Sequence, residues 1–414
     1  MRTAGEHQTN ADTKTNGRPG SERREVTDLL GLDNLFSDEE LAVREEIRSF
    51  VDEKIKPNLR EWWEGAIFPR ELVPEMAARG LLGMHLEGYG CAGKSAVEYG
   101  LACMELEAGD SGLRTFVSVQ GSLAMSAIHK FGSEEQKVEW LPRMAKGEAI
   151  GCFGLTEPTA GSDPSSMKTF ARKDGSGWVL NGEKRWIGMG TIADVAVIWA
   201  QTDDGVRGFL VPTDTPGFIA KDITPKLSMR ISVQCDLSLE EVRLPESAML
   251  PEAKGLRGPF SCLSEARYGI IWGSMGAARD SYEAALEYAG GREQFGKPVA
   301  GFQLTQQKLV NMALEIEKGT LLALHIGRMK DEGTVRPEHI SAGKLNNVRE
   351  AIEVAREART ILGGNGITLS GSRTSTRERS HCTEIRIESF GVMSLALKPG
   401  VSVGTRKPRT PSSV

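Results

Sequence analysis

Residues 152–163 read Cys-Phe-Gly-Leu-Thr-Glu-Pro-Thr-Ala-Gly-Ser-Asp. Cys152 to Leu155 has the look of a strand end. It runs into a loop of small and hydroxyl residues whose backbone amides, with the Thr156 and Ser162 hydroxyls, can face a polar ring edge or a phosphate. Taken alone the loop is equally an ordinary turn with Asx chemistry. Its position decides more, because it stands where a helical pattern gives way to strands.

Upstream, Ser37-Asp-Glu-Glu40 opens a helix as a capping box. Leu41, Ile47, Phe50, Val51 and Ile55 then recur at helical spacing up to Pro57. The chain reads helical to about residue 150, interrupted at Gly88-Tyr-Gly-Cys-Ala-Gly93, with a charged helix over 134–147 that Leu141-Pro142 should break. Downstream, Gly177-Trp-Val-Leu-Asn-Gly182 reads as strand and turn, with Asn181-Gly182 placed for a tight hairpin. Residues 194–200 and 208–211 read as buried strands. From Phe260 long helices return. Leu309, Met312, Ile316, Thr320 and Leu324 mark one helical face, and a later helix runs from about Pro337 through Leu345, Val348, Ile352 and Ala355 to Gly363-Gly364. The expectation is an α+β multidomain chain. A polar tail (1–30) precedes an N-terminal helical domain (31–150), a small β-barrel-like middle domain (151–257), a C-terminal helical bundle (258–367) and a tail (368–414).

The 414 residues exceed one ordinary core, and 39% hydrophobic with 26% charged residues suits a soluble globular protein. A net charge of -5 argues against a nucleic-acid-binding surface, though not against a local basic patch for a phosphate-bearing ligand. The six cysteines form no CxxC pair and the six histidines no HxxxH or HExxH spacing, so neither a disulfide framework nor a metal site is expected. No apolar run reaches membrane-spanning length, and Glu6, Asp12 and Glu22 argue against a transit peptide. A reducing, cytoplasmic setting is expected.

Three further clusters carry chemistry. Lys184-Arg-Trp-Ile-Gly188 sets a large flat indole on a strand. Arg292-Glu-Gln-Phe-Gly-Lys-Pro298, followed by Gln303, offers a guanidinium to a pyrophosphate or is a solvated helix end. Ile361-Leu-Gly-Gly-Asn-Gly366 admits a phosphate close to the backbone or is a glycine C-cap. Singly each is weak. Together, in this order, they resemble the acyl-CoA dehydrogenase family over roughly residues 30 to 367. The resemblance implies FAD as cofactor, its ring held by Phe153, Leu155, Thr156, Ser162, Trp186, Ile187 and Gly188. Arg292, Gln303 and the stretch Thr360 to Gly364, including Leu362 and Gly363, would bind the ADP part of a flavin in a neighbouring subunit of a homotetramer. Gly188 is a departure, since many relatives carry a Thr there.

Asp110-Ser-Gly-Leu-Arg-Thr-Phe-Val-Ser118 is similar to the segment with which glutaryl-CoA dehydrogenases hold the distal carboxylate of the acyl chain. The resemblance gives that role to Arg114 and Ser118, with Thr115 beside them, and an Arg fork is a natural partner for a carboxylate. A surface or helix-terminal Arg is the alternative. Ser162 and the stretch from Phe260 to Arg267 would line the thioester end. The implied reaction removes an α-proton, passes the β-hydride to the flavin and loses CO2, giving crotonyl-CoA, with electrons going on to an electron-transfer flavoprotein.

The family's base, a Glu in a Tyr-Glu-Gly-Thr segment, is not matched. Its expected place falls near Ile387, in Glu384-Ile-Arg-Ile-Glu-Ser389. Glu388 lies one residue beyond and lacks the Gly-Thr that follows in relatives. The content after Ile367 is what a shifted reading frame would produce. Some branches carry the base just before the Arg matching Arg267, but that place is Ala266 here. Glu265 is one residue off, turned about 100° around the helix, and reads as a solvated helix residue.

Overall fold

The computed structural model describes residues 28–368. The two tails, with Cys382 and Glu388, lie outside these residues, Asp28–Leu30 and Thr368 excepted.

Among the described residues seven α-helices make the N-terminal part: α1 (Asp38–Phe50), α2 (Leu59–Gly65), α3 (Val73–Ala78), α4 (Ala96–Gly109), α5 (Ser111–Val117), α6 (Ser126–Phe131) and α7 (Glu134–Ala145). The expected capping box closes on α1, where Ser37 Oγ accepts the Glu40 amide and Glu40 returns the bond, and two more begin α4 and α7. A π-helical stretch, Ser118–Met125, joins α5 to α6 into one rod. Pro142 does not break α7 as expected. The carbonyl four residues earlier, which would lack a donor, belongs to the exposed Val138, where water can reach it.

Three long helices form the C-terminal bundle: α8 (Arg257–Gly291), α9 (Gln303–Asp331) and α10 (Pro337–Leu362). The expected face of α9 is buried from Leu309 to Leu324. On α10, Val348 and Ala355 are buried as expected, but Leu345 faces outward. The buried face includes Ile340, Lys344, Asn347, Val348, Ala351 and Ala355, two of them polar. α4 lies very close to α8. A Cβ added at Gly276 would stand 1.8 Å from the Met104 carbonyl oxygen, and one at Gly273 would stand 2.7 Å from Glu107 Oε2. Glycine is what lets these backbones approach.

Between the helical parts one curled sheet of seven strands is inserted: β1 (Gly151–Gly154), β2 (Phe170–Asp174), β3 (Gly177–Gly188), β4 (Val195–Thr202), β5 (Gly205–Pro212), β6 (Phe218–Asp222) and β7 (Gln234–Pro245). Its order is β1-β4-β2-β3-β7-β6, with β5 on β4 and with β1 parallel to β4. The tight hairpin is not at Asn181-Gly182. It turns at Gly175-Ser176 between β2 and β3, with Gly175 at φ 60°, and β3 continues unbroken. Asn181 instead marks a bulge against β7, its Oδ1 accepting the Glu241 amide. A core of Trp140, Met144, Phe153, Trp199 and Cys262 joins sheet, α7 and the start of α8. Among the described residues no helix is long and apolar enough to cross a membrane, and no group of His, Cys, Asp and Glu could hold a metal ion.

Candidate active site

The loop after β1 is held by a buried ion pair. Lys184 on β3 is fully buried and donates to the Glu157 carboxylate at 2.9 Å and to the Leu155 carbonyl at 3.2 Å. Glu157 also accepts the amides of Lys168 and Thr169, at 2.6 and 3.0 Å. Burial pulls the Lys184 ammonium down to about 8, its partner resisting the shift. Burial would raise Glu157, but the amides and Lys184 outweigh it and hold the carboxyl below its usual range. Neither residue stood out in the sequence beyond its place in the motifs, because their pairing spans 27 residues.

Two residues past Lys184 the register of β3 against β7 slips, and Trp186 takes a left-handed φ of 62°. An aromatic residue rarely adopts that backbone. The bulge leaves the indole 55% exposed while Ile187 is buried. The Arg185 amide bonds the Thr156 carbonyl at 2.8 Å, so the indole is tied to the rim of the loop. Ser162 is exposed, Thr156 half-buried, and a Cβ at Gly161 would meet nothing within 4 Å. Phe153 and Leu155 are buried in the core, the Phe153 ring 5.8 Å from Trp199, so their side chains anchor the loop from below. At Gly188 a Cβ would stand 3.0 Å from Val119 Cγ2. Val119 thus fills part of the room that a larger residue would need. An exposed indole, free hydroxyls and an open glycine rim fit a flat aromatic ring with polar edges.

Arg292, Gln303, Leu362, Gly363 and Gly364 gather elsewhere. Arg292 follows the last residue of α8, and Gln303 begins α9. The glycine stop is indeed the cap of α10, with Gly363 at φ 57° and Asn365 Nδ2 bonding the Tyr288 hydroxyl near the same end of α8 at 3.4 Å. Arg292, Gln303, Gly363 and Gly364 are exposed. Trp199, which packs on Phe153, lies against Gly258 at the opposite end of α8. At 1.5 Å per residue α8 is roughly 50 Å long. One chain therefore does not bring the ring cradle and this cluster together.

The third group lies between helices. Asp110 caps α5, accepting the Leu113 amide at 3.0 Å. Arg114 is not a surface residue: it is 2% exposed, with Ser118 also buried and Thr115 half-buried. Its Nε donates to Glu107 on α4 in a short, fully buried bond. Glu107 Oε1 has no hydrogen-bond partner among the described residues. On α8, Phe260 is exposed and Arg267 half-buried. Glu265 is not a solvated helix residue. It bridges Lys130 at 2.9 Å and Lys330 at 2.8 Å, and these lysines outweigh burial to hold its carboxyl down to about 2. A carboxylate so held is a poor proton acceptor.

Sequence comparison accords with this geometry. The acyl-CoA dehydrogenase N-terminal, middle and C-terminal domain families match residues 37–148, 152–242 and 253–387. The last match runs past Ile367 into the stretch where the sequence departs from the family motif. This chain belongs to the acyl-CoA dehydrogenase family, flavin-dependent oxidoreductases that use FAD. Within it, a glutaryl-CoA dehydrogenase from Mycobacterium smegmatis, solved in complex with FADH2, is 58% identical with a TM-score of 0.85, over 89% of this chain and 92% of that one. Butyryl-CoA dehydrogenase from Megasphaera elsdenii is 29% identical with a TM-score of 0.80, over 86% and 94%. The human mitochondrial short-chain specific acyl-CoA dehydrogenase is 35% identical over 77% of this chain and 79% of its own length.

Proposed function

We propose that this chain oxidises an acyl-CoA whose acyl chain ends in a second carboxylate, and that the substrate is glutaryl-CoA, converted to crotonyl-CoA and CO2. The observation that carries the reading is Arg114, a cation buried between α4 and α5 beside Ser118, where an aliphatic acyl chain would call for none. The 58% identity to a glutaryl-CoA dehydrogenase supports it.

Bound FAD supplies the two-electron acceptor, and an electron-transfer flavoprotein then takes the electrons. The chain's own part is positioning. The loop from Phe153 to Ser162 and the stretch Trp186 to Gly188 hold the ring, with the Lys184–Glu157 pair fixing one against the other. Arg292, Gln303, Leu362, Gly363 and Gly364 hold the ADP part of a flavin seated mainly in a neighbouring subunit. That sharing requires an oligomer, for which the resemblance gives a homotetramer, and Phe295 and Leu304, apolar and 96% and 76% exposed beside that cluster, support an interface there. Arg114 and Ser118 orient the distal carboxylate, with Thr115 beside them. Ser162 and Phe260 line the thioester end. Glu265 and Glu107 are both committed to ion pairs. Neither is a free base, and Glu388, outside the described residues, is the candidate the sequence offers in their place.

The short-chain relatives favour a second reading, a fatty-acyl or short-chain enzyme in which Arg114 has no substrate carboxylate to bind. Turnover of glutaryl-CoA against butyryl-CoA separates the two, and a preference for butyryl-CoA overturns the first. A purified protein that is yellow yet bleaches with neither thioester is a non-catalytic flavin-binding chain. Translating the gene in all three frames beyond codon 367 then shows whether Tyr-Glu-Gly-Thr stands in another frame.

A further inference from the structure

Lys344 is 3% exposed on the buried face of α10, and no hydrogen bond or ion pair holds its ammonium among the described residues. Three residues on, Asn347 donates to the carbonyls of Ile271 on α8 and Gly319 on α9, each at 2.9 Å, and so pins α10 against both helices. One turn back from these anchors lie Lys344 on α10 and Arg267 on α8. Arg267 likewise has no carboxylate partner among the described residues. Lys344 feels Arg267 and then Arg114, which, with burial as the largest cause, bring its ammonium down to about 8. Arg114 is matched by Glu107. Lys344 and Arg267, with no carboxylate partner among the described residues, put two positive charges among packed helices. Burying unmatched charge weakens a fold. Such a site is therefore built to receive an anion.

We infer that Lys344, with Arg267 beside it, is a carboxylate-binding pair facing the Arg114 pocket, so that Arg267 serves the distal end of the acyl chain and not the thioester end. Arg114 and Glu107 then form a preformed, nearly neutral flank, and the excess charge that attracts a second carboxylate comes from α8 and α10. The inference deepens the proposed substrate and rests on that reading for the source of the carboxylate, which is the far end of the acyl chain. The other source of the same chemistry is a carboxylate of this chain beyond residue 368.

Lys344→Met and Lys344→Arg in the full-length, FAD-loaded protein test the pair, with binding of glutaryl-CoA and butyryl-CoA followed by calorimetry and melting followed without ligand at pH 7. The expected result is at least a tenfold loss of glutaryl-CoA affinity in Lys344→Met and butyryl-CoA affinity within twofold of the parent. The ligand-free melting point should rise, and Lys344→Arg should restore glutaryl-CoA binding. A melting point that falls in Lys344→Met, recovers in Lys344→Arg and comes with unchanged affinity for both thioesters identifies the chain's own carboxylate as the occupant. Equal losses for both thioesters, or no change in affinity or melting, overturn the pair. A parent protein that binds glutaryl-CoA no better than butyryl-CoA sinks the proposed substrate, and the melting comparison then judges the pair alone.

Discussion

Glu157 has one carboxylate oxygen on Lys184 and the Thr169 amide and the other on the Lys168 amide, all inside the fold. Removing its charge strands a fully buried ammonium whose one carboxylate partner among the described residues is Glu157. Glu157→Gln should destabilise the protein by about 3–5 kcal/mol, as broken buried pairs do. It should also weaken FAD retention, because the loop that carries Thr156 and Ser162 loses its anchor. Urea unfolding and flavin absorbance after gel filtration check both, and a variant with parental stability would mean that Lys184 finds another partner. The loop itself was legible in the sequence because its residues are contiguous. The clamp beneath it was not, since hydrogen bonding between a loop and a strand leaves no local spacing to read. Glu107 and Lys344 escaped for the same reason. Lys344 did leave a trace, at i−4 and i−7 from Val348 and Ala351 on an apolar stripe, where a charge is out of place.

The contact between α4 and α8 depends on atoms that are not there. Gly276→Ala puts a methyl group into the Met104 carbonyl, so the helices must part. A loss of about 1–3 kcal/mol in heat or urea unfolding is expected, and an unchanged melting point would mean that the seam yields freely. α9 carries a second sensitive contact. Its Glu317 is 4% exposed near the chain at Leu29 and Leu30, and its Oε2 has no hydrogen-bond partner among the described residues. Burial, with repulsion from Asp28, raises its carboxyl to about 7. Between pH 4.5 and 7 the folded chain therefore holds a proton that the unfolded chain has released, and stability falls as pH rises through this window. Glu317→Gln should melt higher than the parent at pH 8, with the difference shrinking toward pH 4.5. A constant difference across that range would show that the carboxyl does not titrate there. The long helices were readable from apolar periodicity, which reports burial directly. The hairpin and the Pro142 break were misplaced because Asn-Gly and Leu-Pro serve more than one geometry. Asn181 answers to Glu241, 60 residues away, and Pro142 to the exposure of Val138.

Across the whole molecule the candidate flavin-binding residues fall into two groups at opposite ends of α8. A chain defective at Trp186 and another defective at Arg292 should complement each other if the flavin lies across subunits. Trp186→Ala and Arg292→Glu, each expected to retain FAD poorly, should regain part of it when co-expressed, because mixed oligomers pair an intact cradle with an intact far end. FAD content of doubly tagged, tandem-purified protein measures this. Content no higher than in either parent would place the whole flavin on one chain.

The length of α8 then has a consequence for handling the protein. If the proposed flavin site is shared between subunits, cofactor content becomes a matter of mass action: each flavin answers to an assembly constant as well as to its own dissociation constant. Dilution alone should bleed FAD from the protein, and added free FAD should drive the protomers back together.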